Sequence, residues 1–295
     1  MSHHEAVEVV GWGARAAWAH AEARSVGRVL CEALAGLGVR HAFGVLGGGI
    51  APFAAGLAAS PIRLFHTRHE AGAVFAAVEA HFESGRPTLA VVTTGPGLFN
   101  ALNGVMAARA DGAKLLLISG ATTRRLWGRG AVQETGAATM PGALTQAGPL
   151  FHYAAQPETV AELPGALAAI ASGWARPGGF VAHLALPLSL QTQLVDGAVR
   201  LAPPSWDHAI AEPSTAVIDD VLARLRRRAV IWLGHGARHA GPTLVEVIRR
   251  AGLPVLSSPR AKGVFPETDP RYLGVSGAFG SDPDLVERVY RSLLA

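Results

Sequence analysis

The chain has 295 residues, of which 49% are apolar and 16% charged, and its formal net charge is +4. Such apolar content excludes general disorder, and the length allows two domains with a large core. A single cysteine, Cys31, excludes a disulfide framework or a cysteine zinc site within the chain, and the scattered Lys and Arg residues make no nucleic-acid stripe.

No apolar run reaches the roughly 18 residues of a membrane span. Glu5, Glu8 and Arg15 interrupt the apolar core that a signal peptide needs. A soluble, cytoplasmic protein with no membrane or nucleic-acid partner is therefore expected. The twelve histidines include no HExxH pair, and no metal ligands are assigned.

Residues 1–24 read as an Ala-rich N-terminal extension. Ser25 is placed to cap an apolar helix that reaches Leu37 and closes at Gly38. "VRHAFGVLGGG" then predicts a strand ending in glycines. A helix near 51–59 and a short strand at Ile62–Phe65 follow, and then a helix opened by Thr67. "TLAVVTT" (88–94) is a buried strand by its β-branched run, and Gly95-Pro96-Gly97 leads into a helix ending near Ala110. "KLLLISG" and "GGFVAHLALPLSL" predict further strands. Strands alternating with helices predict an α/β fold, a parallel sheet flanked by helices.

This first domain spans 25–190, and 191–213 is a proline-bearing linker. Residues 214–295 hold a helix (Ala216–Arg226), the strand "AVIWLG", a helix and the strand "PVLSS". They make a partial Rossmann-like second domain with two clear strands. Its "WLGHGARHAG" is a weak phosphate-loop match, since the spacing is not GxGxxG. A serine-hydrolase assignment fails because no GxSxG occurs.

Glu70 stands at the head of an apolar helix, with Ala73, Val74, Ala77 and Val78 on its own face. Thr67-x-x-Glu70 also matches a capping box, which would give the acid a purely structural role. Taken in order, "GVRHAFGVLGGGI", "RHEAGAVFAAVEA", "TTGPGLFNALNGV" and "AVQET" resemble the pyrimidine-binding domain of thiamine diphosphate enzymes, in the acetolactate synthase and pyruvate oxidase group. "SSPRAKGVFPETDPRYLGVSGAFG" resembles that group's central domain.

The resemblance implies a thiamine diphosphate-binding fold, with Glu70 hydrogen-bonding a ring nitrogen of the aminopyrimidine and thereby activating the cofactor. Burial disfavours a charged carboxyl, so such a group can share a proton with a weakly basic nitrogen. It also implies that Gly47 and Gly48, with Gly49, lie against the cofactor, that Pro96 and Asn100 line the pyrimidine pocket, and that Gln133 holds the 2-keto acid substrate. Members of the group clamp the diphosphate and Mg2+ with Gly-Asp-Gly and a later Asn. This sequence contains no Gly-Asp-Gly. Either the sequence is a fragment of a longer chain or a partner subunit carries that unit; the expectation is the partner, in a split enzyme that decarboxylates a 2-keto acid with carboligation, as a heterotetramer. FAD in the central domain stays open. The alternatives are a non-catalytic scaffold or regulatory subunit of this fold, and a nucleotide-binding α/β protein.

Overall fold

The computed structural model describes residues 24–136, 139–196, 212–226, 229–276, 282 and 284–294. The expected N-terminal extension and most of the expected linker lie outside the described residues. The chain divides into two units, Met1–His208 and Ala209–Ala295.

In the first unit a two-residue strand, β1 (Arg24–Ser25), leads into α1 (Val26–Gly36). Ser25 Oγ accepts the Arg28 N–H at 3.3 Å, the expected cap. Then come β2 (His41–Val45), α2 (Ala51–Ala58), β3 (Arg63–His66), α3 (Glu70–Ser84), β4 (Thr88–Val92), α4 (Pro96–Asp111) and β5 (Lys114–Ala121). After a long connection follow β6 (Tyr153–Ala155), α5 (Leu163–Trp174), β7 (Phe180–Pro187), α6 (Leu188–Thr192) and β8 (Leu194–Val195). Strand β8 pairs antiparallel with β1. The sequence pattern does not disclose β6 or α5. The strand has three residues, and the helix is apolar nearly all round, so neither shows a clean period.

Six strands form one parallel sheet in the order β3-β2-β4-β5-β7-β6, which bears out the predicted architecture. Leu89, Val91, Leu116 and Ile118 point to the face covered by α1, α2 and α5. Ala90, Val92, Leu115 and Leu117 point to the face covered by α3 and α4. Both faces are thus dry, and β4 and β5 are buried at every position. That explains why they read as unbroken apolar runs.

This topology also sets where a site can form. The chain leaves β2 for α2 on one face of the sheet, and leaves the neighbouring β4 for α4 on the other. Adjacent strands whose connections part in this way open a crevice at their carboxyl ends. The Gly47–Gly49 loop and the Gly95 turn stand on its two sides.

The second unit holds α7 (Thr215–Leu225), β9 (Ile231–Leu233), α8 (Gly241–Ala251), β10 (Val255–Ser257), β11 (Tyr272–Val275) and α9 (Leu285–Leu294). Its parallel sheet has the order β11-β10-β9, so a third strand joins the two expected. Strand β11 escapes pattern reading because Gly274 interrupts it at φ +133° and its register against β10 shifts between Val255 and Leu256. Leu233, Ile248, Val255, Ala261 and Phe265 form the small core. Among the described residues no helix is long and apolar enough to cross a membrane.

Candidate active site

Strand β3 ends at His66, and the Thr67 N–H still bonds to the Gly44 carbonyl at 2.9 Å, which keeps Thr67 extended. The helix therefore starts three residues later, at Glu70, and the expected capping box does not form. His69 is the cap instead, its Nδ1 accepting the Ala71 N–H at 3.1 Å. Thr67 Oγ1 donates to the His69 carbonyl at 3.1 Å. Glu70 thus has no capping duty.

Its side chain nevertheless is placed with care. Glu70 is 8% exposed, above the buried Ala73, Val74, Ala77 and Val78. Its Oε2 accepts from Asn100 Nδ2 at 3.1 Å, and among the described residues no other hydrogen bond reaches the carboxyl. Asn100 belongs to α4, which runs beside α3. One turn further along each helix, a Cβ at Gly104 would lie 2.5 Å from Val74 Cβ. The pairs Glu70–Asn100 and Val74–Gly104 therefore follow one seam, and the absence of a side chain at 104 lets the helices approach.

The turn between β4 and α4 is the hub. Gly95 adopts φ +58° and ψ −111°, a conformation that a residue with a Cβ rarely takes. Pro96 follows at the first helical position and is exposed; its missing N–H costs the helix nothing there. A Cβ on Gly97 would sit 3.5 Å from Glu70 Oε1, so the carboxyl lies over this end of the turn. At the other end, a Cβ on Gly95 would lie 3.1 Å from the Gln133 Cβ and carbonyl oxygen. Thr94 Oγ1 donates to Gln133 Oε1 at 3.2 Å. Glu70 and Gln133 therefore border the same three-residue turn.

The glycine loop after β2 packs on the same segment. A Cβ on Gly47 would meet Thr93 Oγ1 at 2.7 Å, and one on Gly49 would meet Thr94 Cγ2 at 2.6 Å. Close packing thus explains these two glycines without a ligand. Gly48 differs, because a Cβ there meets nothing within 4 Å. Gln191, fully buried, ties this loop down by donating to the Gly49 carbonyl at 2.9 Å and the Leu186 carbonyl at 2.8 Å.

Sequence reasoning missed Thr93, Thr94, Thr135, His69 and Gln191. The doubled threonine before Gly95 was the one available signal. Thr135 and Gln191 act across long sequence separations, and His69 caps only because β3 runs on through Thr67. A further polar pair, Ser119 Oγ and His183 Nε2 at 2.8 Å, lies wholly inside the sheet with both residues at 0% exposure. No substrate can reach it there.

Residues 24–140 match the thiamine pyrophosphate enzyme N-terminal TPP binding domain, and residues 218–286 match the central domain of the same enzymes. A 2-hydroxyacyl-CoA lyase of Oryza sativa subsp. japonica is 33% identical over 260 residues, covering 81% of this chain and 43% of the relative. Acetolactate synthase 2, chloroplastic, of Zea mays is 30% identical over 278 residues, covering 90% and 41%. 2-Hydroxyacyl-CoA lyase 1 of Mus musculus is 27% identical over 259 residues, covering 84% and 43%. The chain thus spans less than half the length of these relatives. Two successive domain matches, each falling within one of the two units, agree with the parallel sheet and its crevice: the chain belongs to the thiamine pyrophosphate enzyme family.

Proposed function

We propose that this chain supplies the pyrimidine side of a thiamine diphosphate site, in an enzyme that decarboxylates a 2-keto acid and joins the remaining carbons to an acceptor, as acetolactate synthases do. The observation that carries this reading is the buried Glu70 carboxyl, fixed on one oxygen by Asn100 and released from helix capping. Its other oxygen is left to share a proton with a ring nitrogen, so these residues fit the aminopyrimidine. When bound, the cofactor supplies a centre that stabilises negative charge on the substrate's former carbonyl carbon.

The remaining work belongs to protein groups. Glu70 holds or releases a proton at Oε1 toward the ring nitrogen. Asn100 keeps the carboxyl from turning away, and the apolar stripe beneath keeps water off it. Gly48, open on its side-chain side, lets the backbone approach a flat ring. The Gln133 amide, on the far side of the turn, orients the keto acid. The diphosphate and its magnesium need residues that this sequence does not contain, since it has no Gly-Asp-Gly. We assign them to a second polypeptide.

The likeness to two 2-hydroxyacyl-CoA lyases supports a second reading, cleavage of a 2-hydroxyacyl thioester at the same centre. Assays with pyruvate and with a 2-hydroxyacyl-CoA separate the two. For either, Glu70→Gln is the test of mechanism. Because His69 carries the cap, the amide should alter stability by about 1 kcal/mol or less. Turnover of the assembled enzyme should fall by roughly a hundredfold or more, since an amide cannot relay the proton. Near-normal turnover in the Gln variant would return Glu70 to a structural role.

A further inference from the structure

We propose that Thr135 is a positioning residue that sets the backbone, and through it the amide direction, of Gln133. Thr135 is 2% exposed, and its hydroxyl is used twice. Oγ1 accepts the Gly95 N–H at 2.6 Å and donates to the Gln133 carbonyl at 2.8 Å. One hydroxyl therefore ties the Gly95 turn to the residue that faces it.

The backbone of Thr135 is held as firmly. Its N–H donates to Thr122 Oγ1 at 2.9 Å, and its carbonyl accepts the Thr122 N–H at 2.7 Å. Thr122 directly follows β5, so these reciprocal bonds moor the returning end of the 123–134 loop to the sheet. Gln133, two residues before the mooring, has φ +54° and is the one non-glycine residue with positive φ among those described. A side-chain-bearing residue holds that conformation only where its surroundings impose it. Here the imposing contacts are the Thr135 hydroxyl on the Gln133 carbonyl and Thr94 Oγ1 on Gln133 Oε1. Without the first, Gln133 can return to ordinary backbone space, and its side chain swings off the turn.

This inference rests on the reading of Gln133 as the keto-acid residue, but its test does not. The full chain is labelled with 15N, and Thr135→Val is compared with Thr135→Ser, which keeps the hydroxyl. The valine variant should exchange its Gly95 amide hydrogen about tenfold faster and shift the Gln133 side-chain amide resonances, with core amides such as Leu117 unchanged. The serine variant should restore both. Unchanged Gly95 exchange, or unmoved Gln133 resonances in the valine variant, would refute the clamp. If the valine variant does not fold, Thr135→Ala is read in its place by the same criteria. Steady-state kinetics of Gln133→Ala with pyruvate test the other premise separately: a raised KM supports a keto-acid role, and an unchanged KM removes that role while leaving the clamp standing.

Discussion

His183 illustrates how a single residue can govern the acid limit of the fold. Its Nδ1 lies 2.6 Å from the Leu144 carbonyl, which can only accept, so that nitrogen carries the hydrogen and the Ser119 hydroxyl donates to Nε2. The neutral ring thus has both nitrogens satisfied, and burial disfavours the charged ring, pushing its pKa down from 6.5 to about 4. The sign of the linkage follows directly. Below pH 6.5 the unfolded chain takes up a proton that the folded chain refuses, so stability falls with pH until the folded pKa is reached. The loss from this residue amounts to about 3 kcal/mol across that window. Urea unfolding at pH 7 and pH 4.5 should show it, and equal stabilities would disprove the sealed neutral ring. At this scale the sequence disclosed the residues whose type is odd for their surroundings. Glu70 was legible as an acid in an oily run, whereas Thr135 was opaque because its partner Gly95 lies forty residues away.

Among the elements, the head of α3 carries the most consequence. Its cap is an imidazole nitrogen, which has to be placed by the turn after β3. His69→Ala should remove that bond and lower stability by about 1 kcal/mol, whereas His69→Asn should largely retain it. Thermal unfolding of both variants checks the difference; equal losses would mean that the cap is incidental. The capping-box motif misled because it was read without the end of β3. Only the pairing of Thr67 N–H with Gly44 reveals that the strand uses up the residue the motif needs. Runs buried on both faces, such as β4 and β5, were plain in the sequence. Short or glycine-broken strands such as β6 and β11 were not, because two or three usable positions cannot establish a period.

For the whole molecule, the proposal of a second polypeptide makes a sharp claim. The chain alone should bind thiamine diphosphate with magnesium weakly by calorimetry, because pyrimidine contacts cannot replace a metal-bridged diphosphate clamp. Tight binding should appear only on mixing with a partner that carries Gly-Asp-Gly, and the mixture should have the mass of a heterotetramer with two sites about a twofold axis. Tight, magnesium-dependent binding without a partner would defeat this arrangement. The α3–α4 seam adds a constraint on descent. Glu70–Asn100 and Val74–Gly104 share one line of contact, and position 104 has no room for even a methyl group while valine stands at 74. A lineage that gained alanine at 104 would need to shed bulk at 74 at the same time, or part the helices and pull the amide from the acid. Positions 74 and 104, neither of which bonds to the Glu70 carboxyl, are thereby coupled, and the substitutions this chain can accept are narrowed at sites that a reader of the chemistry alone would have left free.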